Sequence, residues 1–254
     1  MQHHLDSLAR AAVIAGLLAA CLFLALPQID IAVARLFYRE GAGFPVATAG
    51  WAEHLRAIFG WAMGLTIAAA LALFLRACLR PTNIPARLWG LVLLAFTIGP
   101  GLIVNVILKN NWGRARPADV EAFGGELRFT PPIVMSDQCG HNCSFVSGEG
   151  SGIATLCLLA VIVIAPMLAT RSAKLWLVAG ATGLTLLGAG LRVLKGRHFL
   201  SDTIFAVVIA TIVIWALYRL MKIEALMPRL TWAALKGDLA GFWRDLARLV
   251  PRRG

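Results

Sequence analysis

The chain has 254 residues, 59% of them hydrophobic and only 15% charged, with a net charge of +11. A soluble domain holds about 45–50% apolar and about 25% charged residues, so composition excludes an ordinary water-soluble globule and points to one membrane domain. The basic balance does not imply nucleic acid, because cations on cytoplasmic loops also set membrane topology.

A helix crosses a bilayer with roughly 17–25 apolar residues. Six runs come close enough to serve: Ala11–Leu26, Ala57–Leu75, Leu88–Leu108, Ile153–Leu168, Lys174–Leu191 and Thr203–Leu220. In hydrocarbon only helices and closed barrels satisfy the backbone, and these runs are too long and too uniformly apolar for barrel strands. The expected fold class is therefore all-α, an integral membrane bundle of six transmembrane helices over residues 1–221, with a basic tail over 222–254. The first run has a weak charged flank, Asp6 and Arg10, and is expected to remain as a helix instead of being cleaved as a signal. More lysines and arginines fall on the side of the termini than on the other side, which places both termini in the cytoplasm.

Residues 27–56 form the first outer loop. Within it Ile29–Phe37 is expected to lie along the membrane interface, and Gly41–Phe44 to turn. Residues 76–87 form a short cytoplasmic link with Pro81 and Pro85. In the third run Gly99-Pro100-Gly101 should kink or loosen the helix. Asn105 is polar at membrane depth and is expected to face the bundle interior in an interhelical hydrogen bond. Residues 109–152 form the longest loop, and 190–202 the last outer one. In the tail, Leu235, Leu239, Phe242, Leu246 and Leu249 share one helical face, with Lys236, Arg244, Arg248, Arg252 and Arg253 interspersed. This predicts an amphipathic helix lying on the cytoplasmic leaflet, or packed on its own bundle or a second subunit.

Five cysteines are present. Cys139 and Cys143 lie in the long outer loop, as a disulfide or as free thiols. His141 between them completes no standard zinc spacing, so no metal site is expected.

Three short stretches fall where outer loops meet spans. The first is Lys109-x6-Arg116-Pro117, in which Pro117 is expected to stop the helix. The second is Ser144-Phe145-Val146-Ser147-Gly148-Glu149. The third is Arg192-x5-His198-x3-Asp202. Lys109, Arg116 and Arg192 suit phosphate, which accepts bidentate bonds from Arg and a point charge from Lys. Ser147-Gly148 precedes a helix, whose N-terminal N–H groups bind anions. His198 and Asp202 are four apart and share a face, so Asp202 can hold one ring nitrogen and leave the other as a lone pair. The remaining outer cations, Arg114, Arg128, Lys195 and Arg197, are expected to touch lipid headgroups.

Together the three stretches resemble the signature of the type-2 phosphatidic acid phosphatase superfamily, K-x6-R-P, then P-S-G-H, then S-R-x5-H-x3-D. Asp30 to Phe44, Gly99-Pro100-Gly101 and Trp112-Gly113-Arg114 further resemble bacterial members that act on lipid A. The resemblance implies a metal-independent phosphoric ester hydrolase of the inner membrane, with no cofactor and with its loop domain and site on the periplasmic face. His198 would be the nucleophile, forming a phosphohistidine, with Asp202 orienting it. Lys109, Arg116, Ser147, the Gly148 backbone and Arg192 would hold the phosphoryl oxygens. The partners implied are the bilayer and a phosphorylated membrane lipid: lipid A first, with undecaprenyl diphosphate and phosphatidylglycerophosphate as alternatives. A lipid phosphotransferase and a non-catalytic lipid-phosphate binder are the other readings. The sequence departs from the pattern at Leu191, Val146 and Glu149. Glu149 replaces the histidine that protonates the leaving group, a task a carboxyl performs only when protonated.

Overall fold

The computed structural model describes residues 2–249. Arg252 and Arg253 of the basic tail lie outside the described residues. Eight helices are described: α1 Gln2–Ala25, α2 Gln28–Arg35, α3 Gly50–Leu79, α4 Ala86–Asn111, α5 Gly148–Ile164, α6 Arg171–Leu194, α7 Leu200–Leu220 and α8 Trp232–Leu249. Six of them, all but α2 and α8, are long and apolar enough to span a membrane, α5 when continued to Met167. The chain is an all-α, multi-pass membrane protein. Among the described residues there is no strand, only isolated bridges at Arg39–Gly43 and Val120–Leu127.

The helices run past the apolar stretches. α3 begins at Gly50, not Ala57, and at 1.5 Å per residue its 30 residues reach about 45 Å, well beyond the hydrocarbon. Its first turns carry Glu53 and Arg56 out of the apolar zone on a rigid helix, where the sequence suggested loop. α7 is central, packing on α1, α4, α5 and α6. Trp215 near its C-terminal end donates to Asp6 Oδ1 of α1 at 2.8 Å, tying the first span to the last.

α4 is not a uniform α-helix. From Thr97 to Leu108 it is wound as a π-helix with Pro100 inside. Proline lacks the N–H of the ordinary ladder and crowds the carbonyl four residues back, which the wider turn relieves. Asn105 does not face the interior. It is exposed on the bundle surface, with its side chain against Gly148. Nor does Pro117 stop this helix. α4 ends at Asn111, Gly113 follows with φ +69°, and Pro117 opens a 3-10 turn to Asp119. A Cβ on Gly113 would lie 1.5 Å from the Ser136 carbonyl oxygen, so the loop closes only over glycine.

The outer loops have a core of their own. Phe44, Phe123 and Phe199 bury together with Ala34, Ala115 and Val120, and Tyr38 packs between Phe44 and Phe123 with ring centres 5.6 and 5.1 Å away. This joins the first, second and third outer segments into one cap. α2 belongs to it: Asp30 and Ala34 are buried, so one face of this segment docks on protein.

At the end of the bundle away from these loops α8 packs on its own bundle. Asp238 is buried and accepts from Asn83 N, Asn83 Nδ2 and Ile84 N at 2.8–3.1 Å, and Asp245 pairs with Arg76 of α3 and with Arg80 just beyond it. Trp232, Leu239, Trp243 and Leu246 stay exposed on an adjoining face. Of the three donors the Ile84 N–H is the buried one, and leaving it unmet costs about 1–3 kcal/mol. Asp238→Ala should therefore lower Tm and expose the tail to limited proteolysis while leaving the outer site's chemistry unchanged, as gel analysis and turnover would show.

Candidate active site

The three stretches meet at the outer ends of α4, α5, α6 and α7. α6 ends at Leu194, the chain turns through Gly196 at φ +61°, and α7 starts at Leu200. His198 lies in that turn and is 1% exposed. Its Nδ1 lies 2.7 Å from the backbone carbonyl of Ser144, while Asp202 Oδ2 is 3.8 Å away. A carbonyl only accepts, so Nδ1 carries the proton and Nε2 the lone pair. Asp202 thus acts on His198 largely at one remove: its Oδ2 accepts the Ser144 hydroxyl at 2.5 Å and the Phe199 N–H at 2.8 Å. Ser144 holds the histidine through its carbonyl and the carboxylate through its hydroxyl. Burial pushes the His198 imidazole below its ordinary pKa; the Asp202 charge opposes this, and the Lys109 and Arg192 charges add to it.

Behind Asp202 lies Arg114, which is fully buried and touches no headgroup. Its Nη1 donates to Asp202 Oδ1 at 2.5 Å and Ser201 Oγ at 2.9 Å, its Nη2 to Asp30 Oδ2 at 2.8 Å, and its Nε to the Thr130 carbonyl at 2.8 Å. The guanidinium carbon lies 4.5 Å from the Phe199 ring centre. Asp30 also accepts the Ser201 N–H at 2.9 Å. Burial holds the Asp30 carboxyl above its ordinary pKa, with the Arg114 charge opposing the rise. A second outer cation also leaves the headgroups: Lys195 is 4% exposed and pairs with Glu53. Arg197 is half-buried and Arg128 is exposed.

Ser147 caps α5, its hydroxyl accepting the Gly150 N–H at 3.1 Å, which leaves the hydroxyl proton free to donate. Gly148 follows because a Cβ there would lie 2.5 Å from Asn105 Oδ1 and 3.3 Å from Lys109 Cε. Lys109 is 8% exposed, and its ammonium donates to Asn142 Oδ1 at 3.2 Å. Arg116 Nη2 donates to the Asn142 carbonyl at 2.6 Å. Cys139 and Cys143, on either side of Asn142, are bonded to each other. Glu149 engages two guanidiniums: Oε1 lies 2.9 Å from Arg56 Nε and Oε2 lies 3.1 Å from Arg192 Nη1. Arg192 Nε is buried and has no hydrogen-bond partner among the described residues. Among the same residues no group of three His, Cys, Asp or Glu is placed to hold a metal ion.

The arrangement suits an anion beside a neutral, oriented imidazole. The Lys109 and Arg192 charges reach the His198 ring, Ser147 caps a helix N-terminus in the same cluster, and among the described residues Arg192 Nε has no acceptor.

A family model described as the PAP2 superfamily matches residues 90–225. This chain belongs to the PAP2 superfamily. Three relatives, each named lipid A 4'-phosphatase, are similar to it. The protein of Francisella tularensis subsp. novicida is 44% identical over 127 residues, which is 49% of this chain and 54% of that protein. Those of Rhizobium etli and Rhizobium leguminosarum are 33% and 30% identical over 79% of this chain, covering 82% and 90% of their own lengths. The chain thus spans about half of the first relative and most of the other two. No solved structure matches it. The PAP2 match contains all three stretches, but not Asp30 or Arg56, which this chain brings to the site from its first loop and α3.

Sequence reasoning missed Ser144, Arg114, Asp30, Ser201, Arg56 and Asn142. One signal was available: Asp30 is an acid between Ile29 and Ile31, a poor place for a charge without a buried partner. Removing one partner of a buried ion pair costs about 3–5 kcal/mol, whereas an exposed surface change stays within about 0.5 kcal/mol. Arg114→Ala should therefore strongly lower thermal stability in detergent, and Arg128→Ala should leave it unchanged.

Proposed function

We propose that this chain is a membrane lipid phosphatase that removes the 4'-phosphate of lipid A at the periplasmic face. It is a phosphoric ester hydrolase and works without a metal. The observation that carries the reading is the meeting of three distant stretches at one imidazole, with the Lys109 and Arg192 charges acting on it and Arg116 joined to Lys109 through Asn142. The names of the three relatives support the substrate. The excess of cations on the side of the termini supports the orientation, with both termini cytoplasmic.

In this reading His198 Nε2 attacks phosphorus while the bond from phosphorus to the lipid oxygen breaks. The leaving oxygen takes a proton from water, leaving hydroxide, and a phosphohistidine remains. A second water then attacks phosphorus, its released proton neutralises that hydroxide, the P–N bond breaks, and inorganic phosphate departs. Nδ1 keeps its proton, donated in a hydrogen bond to the Ser144 carbonyl, and Asp202 stabilises the charge that develops on the ring. Lys109, Arg116, Arg192, the Ser147 hydroxyl and the Gly148 N–H hold the oxygens on which negative charge gathers. Glu149 stands where the family pattern has its general acid. Both its oxygens are engaged by guanidiniums, so its part is to hold Arg192 and Arg56 in place.

His198→Ala should abolish phosphate release from lipid A by the purified protein, and a chelator should not reduce wild-type release. Release that survives His198→Ala would sink the reading. Glu149→Gln separates its two roles. Loss of Arg192 positioning lowers turnover of lipid A and of 4-nitrophenyl phosphate alike, whereas loss of a general acid spares the ester with the good leaving group. Because burial favours neutral His198, the acidic limb of kcat/KM should fall below pH 6.5, the ordinary histidine value. A limb above it would contradict the buried, unprotonated nucleophile.

A further inference from the structure

Lys109 and Arg116 come from different local structures, the end of α4 and the extended chain beyond it. One residue touches both. Asn142 accepts from Lys109 Nζ through its side chain at 3.2 Å and from Arg116 Nη2 through its backbone carbonyl at 2.6 Å. Its φ is +51°, a conformation asparagine tolerates better than most residues. The Cys139–Cys143 bond closes a short ring around it, with the Cα atoms 5.7 Å apart. That ring is stitched to the chain that carries the cations. The Cys143 N–H donates to the Lys109 carbonyl at 3.0 Å, and the Ser144 N–H to the Arg114 carbonyl at 2.8 Å.

An ammonium has three donors and a guanidinium five. Asn142 takes one from each and leaves the rest for a ligand. It supplies no charge, so it does not replace phosphate as a counter-ion. Two long, mutually repelling side chains are thereby ordered before the ligand arrives, and their ordering cost falls on folding and not on binding.

We infer that Asn142 is the positioning residue of the phosphate cradle, and that the Cys139–Cys143 bond holds it there, so that affinity for phosphate depends on the oxidised loop. This rests on the reading above that Lys109 and Arg116 bind the phosphoryl group. Because Asn142 acts through the cations, its loss weakens phosphate binding and raises KM more than it lowers kcat. The described residues hold one disulfide, and the other three cysteines are free, so a thiol reductant acts on this ring alone.

The test is calorimetric titration of inorganic phosphate into the purified full chain in detergent. Four samples are needed: oxidised and reduced wild type, and oxidised and reduced Asn142→Gly. Glycine keeps the left-handed backbone and its carbonyl and removes only the side chain. The oxidised variant should bind phosphate about tenfold more weakly, the scale of one lost bond to a charged group. Reduced wild type should be weakened at least as much, C139S/C143S should match it, and reoxidation should restore binding. The two changes together should cost less than the product of their separate effects. The inference is overturned if reduction leaves wild-type affinity unchanged, if the effects multiply, if Asn142→Gly binds more tightly, or if oxidised wild type binds no phosphate. Phosphate binding without turnover of any lipid would uphold the cradle and sink the hydrolase reading instead.

Discussion

The site depends on one buried guanidinium. Arg114 has no exposed surface and is held between Asp202 and Asp30, with Ser201 shared between it and Asp30. Burying an ion costs several kcal/mol unless its geometry and remaining donors are satisfied. Here Nη1, Nη2 and Nε all have acceptors, and two rings face the guanidinium. The demand is strict enough to fix the surroundings. Asp30 must come from α2, Asp202 and Ser201 from the start of α7, and the Thr130 carbonyl from the long loop. Satisfying one arginine therefore assembles the first loop, the long loop and the last span into one cap.

The histidine inherits its position from that assembly. Asp202, pinned by Arg114, accepts the Ser144 hydroxyl, and the Ser144 carbonyl takes the His198 Nδ1 proton. The carboxylate thus influences the ring through a serine that serves both partners. Such a relay is rigid because each member has a second anchor. Rigidity matters for phosphoryl transfer, where the protein contributes mainly position and fixed charge. α3 and α5 add a second layer, in which Glu149 ties Arg192 to Arg56.

The spans were legible because length and hydropathy decide them, and each predicted run matches a helix to within a few residues. Their ends were not, since polar turns that project from the bilayer carry no apolar signal; Gly50 to Arg56 is the clearest instance. The signature side chains were legible through their spacing, and the fold brings Lys109, Arg116, Ser147, Arg192, His198 and Asp202 to one end of the bundle. What supports them was not. Arg114 reads as one more outer cation until Asp30, more than eighty residues away, is seen to meet it. Asn105 reads as an interior hydrogen-bonder, but it lies exposed with its side chain beside Gly148. Asn142 carries no periodic or motif signal, because its part depends on a loop closed by chain neighbours. Pro117 misled in the opposite way: local rules make it a helix stop, and Gly113 had already ended the helix.

The most direct test is to trap the intermediate. Lipid A carrying a radiolabelled 4'-phosphate would be mixed with the purified protein, quenched within the first turnover, and the labelled peptide sequenced. The account predicts an acid-labile, alkali-stable label on the peptide containing His198, absent when Asp202 or Ser144 can no longer hold the ring. Phosphate released from lipid A with no label on the protein, or with the label on another residue, would contradict it.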